Sequence, residues 1–149
     1  MSSAMTSGRA WLFTIIAVLA AGGIVVSGIA LRHHYGTSET SFCDIAANFS
    51  CDIVNRSVYS TVAGIPDALI GILGYAALLG LAAFQRKNTQ TPAILLAGSL
   101  AGLGFALYLT YIEKYVLATW CILCLSSLTL ISLITITSAG LVVSSRRRA

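Results

Sequence analysis

Charge is what this chain has least of. Only 9% of its 149 residues are Asp, Glu, Lys or Arg, while 57% are hydrophobic; soluble domains carry about 25% charged residues. That scarcity excludes an ordinary water-soluble globule. Acidic residues are rarer still: there are five, none before Glu39 and none after Glu113. No internal repeat and no low-complexity tract is present, which excludes a solenoid or an array. Four cysteines are the only thiols.

What is there instead is long apolar runs. A bilayer core about 30 Å thick needs about 20 apolar residues per helix. Four stretches meet that need, about 11–31, 65–84, 93–112 and 120–143, and only Asp67, near the start of the second, puts a charge inside one. The first run is longer than the roughly 7–15 residues of a signal-peptide core and has no obvious cleavage site after it, so it is expected to be retained. Residues 1–149 are therefore expected to form one all-α integral membrane domain, a bundle of four transmembrane helices. Small residues allow close helix approach: Ala17, Ala20, Ala21, Gly22 and Gly23 in the first helix, and Gly98 and Gly102 as a GxxxG pair in the third. Gly71 and Gly74 beside Tyr75 fit either the same close packing or room for a flat ligand.

Charge then orients the bundle. Both termini and the 85–91 connection carry Arg9, Arg86, Lys87 and Arg146–Arg148 with no acid, whereas all five acids (Glu39, Asp44, Asp52, Asp67, Glu113) fall on the other side with Arg32, Arg56 and Lys114. Basic residues concentrate on the cytoplasmic side, so both termini are expected in the cytoplasm. The terminal arginines then read as a membrane anchor rather than a nucleic-acid site. The segment of about 32–64 is too long for a simple connector and too apolar (Phe42, Ile45, Phe49, Ile53, Val54, Val58, Tyr59) for disorder. It is expected to form an extracytoplasmic cap with short helices, with Ser41 or Ser50 placed to begin a turn. Pro66 suits the first position of the second helix.

The chemistry lies in the thiols. Cys43 and Cys51 are separated by seven residues in the cap, and Cys121 and Cys124 form a tight CILC at the start of the last helix. All four fall on the side that tolerates disulfides. The i, i+3 spacing puts the second pair on one helical face, and the first helical turn stabilises a thiolate at Cys121. A loose pair and a tight pair read as a relay. Two stapling disulfides, or a Cys₄ metal site with His33 and His34 as added ligands, are the competing readings. Zinc sites usually pair two short spacings, so no metal is expected.

The stretch from Phe42 to Tyr75, followed by CILC, resembles the vitamin K epoxide reductase (VKOR) family. The resemblance rests on Cys43-Asp44, Ser50-Cys51, Ser57, Gly64-Ile65-Pro66, Tyr75 and Cys121-x-x-Cys124. It covers about residues 40–128. The loose pair comes first, the reverse of the order in the analogous DsbB family. The resemblance implies a membrane thiol–disulfide oxidoreductase with a quinone (menaquinone, phylloquinone or ubiquinone) as substrate. It further implies that Cys121/Cys124 is the active-site pair beside the quinone, with Cys124 passing electrons to the ring. Cys43/Cys51 would be the shuttle pair: Cys43 meets a thioredoxin-like (DsbA-like) partner and Cys51 forms a mixed disulfide with Cys121. Asp67, Ile70, Gly71 and Tyr75 would border the quinone, with Ser57 positioning the cap.

Two positions depart from the animal enzyme. Asp67 stands where that enzyme has a quinone-binding asparagine, and a carboxyl donates to a carbonyl only when protonated. Leu128 stands where it has a tyrosine, which favours plain quinone reduction over epoxide reduction. Many bacterial relatives carry a fused thioredoxin-like domain; here a separate extracytoplasmic partner is expected. The expected location is a bacterial inner membrane with its redox site facing the periplasm, or the endoplasmic reticulum membrane in a eukaryote.

Overall fold

The computed structural model describes residues 2–35, 49–50, 53–54 and 57–147. Cys43, Cys51 and Ser41 lie outside the described residues. Four helices dominate: α1 (Ser2–Tyr35), α2 (Asp67–Phe84), α3 (Thr91–Ile112) and α4 (Ile122–Arg146). Each contains a segment long and apolar enough to cross a bilayer, so the chain is an integral membrane four-helix bundle. α1 packs against both α2 and α4, α3 packs mainly on α4, and α2 and α3 are the most loosely packed of the neighbouring pairs.

The cores follow from that arrangement. One centres on Phe13, Ile16, Tyr75, Leu95, Ile134 and Leu141, and gathers all four helices. At that core's basic end the guanidinium groups of Arg9 and Arg86 lie 5.6 and 6.0 Å from the Phe13 ring, a contact that holds cations against an aromatic face. Arg86 also donates from Nε to the Ala82 carbonyl at 2.7 Å. A second, smaller core gathers Ala30, Val54, Ala68, Cys121 and Leu123 at the opposite end.

Between α1 and α2 the described cap residues are tied by short-range bonds. Ser50 Oγ accepts the Ile53 N–H at 3.4 Å, as a turn-starting serine does. A 3₁₀ turn (Val58–Ser60) leads into a hairpin of two-residue strands, β1 (Thr61–Val62) and β2 (Ile65–Pro66). Its loop, Ala63-Gly64, has φ of 53° and 83°; two consecutive positive φ values are what a two-residue hairpin demands. Gly64-Ile65-Pro66 therefore belongs to a hairpin, and α2 starts one residue later than expected, with Pro66 as the residue before it.

A π-helical turn (Glu113–Leu117) closes the far end of α3. Ala118 follows in the left-handed conformation at φ 51°, and its N–H reaches the Glu113 carbonyl. The Thr119 N–H bonds the same carbonyl at 3.1 Å. The wider turn breaks the register of α3 and rotates Glu113 into the bundle, where it is 1% exposed; π turns of this kind are frequent at functional sites.

Candidate active site

Cys121 is the residue that opens α4: its backbone is extended, at φ −113° and ψ 120°, and its carbonyl accepts the Leu125 N–H at 3.0 Å. It is buried, in the outer core. Its own N–H, outside the helical ladder, is taken by Glu113 Oε2 at 3.1 Å. One turn on, the Cys124 thiol donates to the Cys121 sulfur. That bond, more than any other contact, holds the Cys121 thiol below its ordinary value, with help from the N–H groups of Cys124 and Leu123; burial and the Glu113 charge oppose it. The helix start contributes, but the neighbouring sulfur contributes most.

A titration follows with a defined sign. In a variant reduced to these two cysteines, the thiolate of Cys121 should form at lower pH than an unperturbed thiol of pKa about 8.5. Cys124→Ala should move that midpoint upward, because the donor that stabilises the thiolate is gone. Ultraviolet thiolate absorbance across pH reads the shift.

Cys124 borders an open-sided cavity of about 350 Å³ lined by all four helices, within the range of small-molecule sites. Asp67, Ile70, Gly71 and Tyr75 line it together with Cys124, and Leu123, Phe105 and Ile131 complete an apolar wall. Tyr75 spans the bundle: its hydroxyl lies 2.9 Å from both the carbonyl and the Oγ of Ser127. The Tyr75 ring packs so closely on α1 that a Cβ at Gly23 would overlap it, and a Cβ at Gly71 would come within 2.7 Å of Ser27 Oγ. Gly74 of α2 and Gly98 and Gly102 of α3 line the same cavity, where those two neighbouring helices pack loosely.

Ser57 is not on that wall. Its Oγ donates to the Val54 carbonyl at 2.9 Å, and its carbonyl accepts the Ser60 hydroxyl at 2.7 Å, so it ties the cap together. Ser57 borders a second, much smaller cavity of about 10 Å³ with Tyr59, Ser60, Asp67, Glu113 and Cys124. Ser60 Oγ in turn lies 3.3 Å from His34 Nδ1. Tyr108 and Tyr111, 53% and 59% exposed, face outward, as aromatic-belt residues do. Leu128 does not line the large cavity, whereas its neighbour Ser127 does. Ser27, Ser127 and Glu113 are polar residues of the site that the sequence did not reveal. A lone acid eight residues before Cys121 was the available signal for Glu113, but the π turn that aims it inward has no sequence signature.

The cap is also joined to this centre. Phe49 and Trp120 form an isolated parallel bridge, and the Ser50 N–H donates to the Trp120 carbonyl at 3.0 Å. Ser50 and Trp120 immediately precede Cys51 and Cys121 in the chain.

A bundle of four membrane helices, with a CxxC at the start of the last and one of its sulfurs on an apolar cavity, is the setting for thiol chemistry with a lipid-soluble acceptor. The profile of the Vitamin K epoxide reductase family matches residues 14–139, and the chain belongs to that family of membrane thiol oxidoreductases linked to quinones.

Proposed function

We propose that the protein passes electrons from a thioredoxin-like partner through Cys43/Cys51 to Cys121/Cys124, and from Cys124 to a quinone in the 350 Å³ cavity. The observation that carries this reading is the division of the CxxC pair: Cys124 borders the cavity, whereas Cys121 is buried beside the cap. The backbone bond from Ser50 to Trp120 supports a meeting of Cys51 with Cys121, since each cysteine is the next residue along, about 3.8 Å away in Cα position.

In this mechanism the reduced partner attacks Cys43 of the Cys43–Cys51 disulfide, and its second thiol then frees Cys43, so the partner leaves oxidised and the loose pair reduced. Cys51 attacks Cys121, and the Cys124 thiol is released onto the cavity. Cys43 then resolves the mixed disulfide and leaves the tight pair reduced. The quinone carries off two electrons and two protons, and Cys121–Cys124 re-forms. The enzyme supplies proximity, a tuned thiolate and a water-poor cavity, while the redox chemistry belongs to the sulfurs and the ring. The charge asymmetry of the sequence supports an extracytoplasmic position for the thiols, where disulfides persist. The wall offers Asp67, Ser27, Ser127 and Tyr75 as polar groups, and the Tyr75 hydroxyl already engages Ser127. This favours reduction of a quinone over that of an epoxide.

The test is turnover of the purified protein with a reduced thioredoxin-like protein and a quinone, followed by the quinone spectrum. Cys43→Ala should stop turnover with the protein donor and spare it with a small membrane-permeant dithiol that reaches Cys121/Cys124 directly. Turnover by Cys43→Ala with the protein donor would contradict the relay.

A further inference from the structure

Glu113 is a buried acid for which the relay above has no use. It stands at the end of α3, 1% exposed, and one oxygen, Oε2, accepts the Cys121 N–H. The other, Oε1, is buried with no hydrogen-bond partner among the described residues, and the Cys124 thiol interacts with the carboxyl. An unsatisfied carboxylate oxygen in such a place is costly. A protein that needed only a cap for α4 would find a serine or asparagine adequate. A carboxyl differs from those in its ability to take up a proton.

The groups around it agree. From α4, Glu113 faces Cys124 and the Cys121 N–H; from α2 it faces Asp67, whose charge acts on it. The 3₁₀ turn brings Tyr59 and Ser60 to the same small cavity, and His34 of α1 stands beyond, acting on Asp67. Among the described residues, no lysine or arginine lines that cavity. Its volume of about 10 Å³ is close to the minimum for one water. Asp67 and Cys124 border both this cavity and the large one, so a proton held at Glu113 is one group away from the quinone site.

We infer that Glu113 is a catalytic base for Cys124, taking the thiol proton as the reduced pair is reoxidised and returning it toward the quinone by way of Asp67. This rests on the quinone-linked reading above. The reduced pair is a Cys121 thiolate and a Cys124 thiol. Glu113 removes the Cys124 proton, and the Cys124 sulfur adds its electron pair to a ring carbon of the quinone. The Cys121 thiolate then attacks the Cys124 sulfur, closing the S–S bond and expelling the ring with two added electrons. The ring takes two protons, one from Glu113 and one from the extracytoplasmic water that received a proton when Cys121 ionised. Quinone plus dithiol thus gives quinol plus disulfide.

Glu113→Gln separates this role from capping, since its amide oxygen still accepts from the Cys121 N–H but takes no proton. With a small dithiol as donor, Glu113→Gln should lower kcat about 100-fold near neutral pH, within the usual span for lost acid–base catalysis. The deficit should narrow as pH rises and Cys124 ionises without help. Glu113→Asp should recover part of the rate, and formate added to Glu113→Ala should restore activity in proportion to its concentration. A Gln variant with wild-type kcat and pH profile overturns the role. So does a deficit that is constant with pH and untouched by formate, the mark of a merely structural cap. Wild-type protein that turns over no quinone sinks the functional reading itself, and that outcome is separate from any difference among the Glu113 variants.

Discussion

Cys124→Ala should reduce quinone turnover by about 10³-fold or more, the scale at which loss of a nucleophile usually registers. Of the tight pair, Cys124 alone borders the 350 Å³ cavity; Cys121 is fully buried in the outer core. No other sulfur among the described residues lines that wall, so no thiol is placed to substitute. The same variant should still accept attack at Cys121 when that residue is supplied as an activated mixed disulfide. With Cys43 also replaced by alanine it should then accumulate a Cys51–Cys121 disulfide, since neither Cys43 nor Cys124 is left to resolve that bond. Peptide mass analysis without reduction identifies that bond. Cys121→Ala should be equally inactive but should accumulate no such species. Quinone turnover by Cys124→Ala at a tenth of the wild-type rate or more would remove Cys124 from the mechanism.

The second large effect is expected from a methyl group on α1. Gly23→Ala places a Cβ in overlap with the Tyr75 ring. Alanine in a helix gains up to about 1 kcal/mol over glycine, but the overlap opposes that gain. The ring is rigid, is buried in the core, and is fixed at its far end by the bonds to Ser127. Overpacking a filled core costs about 1–3 kcal/mol, and loss of the Tyr75 hydrogen bond adds about 1 kcal/mol. Net destabilisation of about 1–3 kcal/mol is therefore expected, read as a lower Tm in detergent. Because the ring lines the cavity, the KM for quinone should rise several-fold, while thiol exchange with the protein donor stays near wild type. Gly104→Ala, whose Cβ meets nothing within 4 Å, is the matched control and should be neutral or slightly stabilising. A wild-type Tm and KM in Gly23→Ala would show that Tyr75 is free to move.

Much of this architecture was legible from the chain. The four apolar runs located the helices to within a few residues at most of their ends, because a bilayer sets a minimum length that a hydrophobic run either meets or does not. α1 ran longer than its apolar run at both ends, to Ser2 and Tyr35, since polar residues continue a helix beyond the hydrocarbon without penalty. The tight thiol pair at the start of α4 was equally plain, as spacing along one helix is a property of sequence. The family resemblance put Gly71 and Tyr75 beside the quinone, and both line the cavity.

What resisted reading was anything decided between elements. Tyr108 and Tyr111 fit a pocket or an aromatic belt equally well by residue type, and the rotation of α3 turns them outward. Ser57 was expected to position the cap, but its particular partners, the Val54 carbonyl and the Ser60 hydroxyl, were set by the fold of that turn.

By itself the sequence determined that this is a four-helix membrane protein with paired thiols, because hydropathy, charge and local spacing act within single segments. Only the tertiary structure decided that Cys124 rather than Cys121 meets the cavity, that Gly23 makes room for a tyrosine on another helix, and that Glu113 turns inward to the sulfurs. Those outcomes depend on how far each helix is rotated about its axis, and rotation is set by packing against neighbours that are remote in the chain.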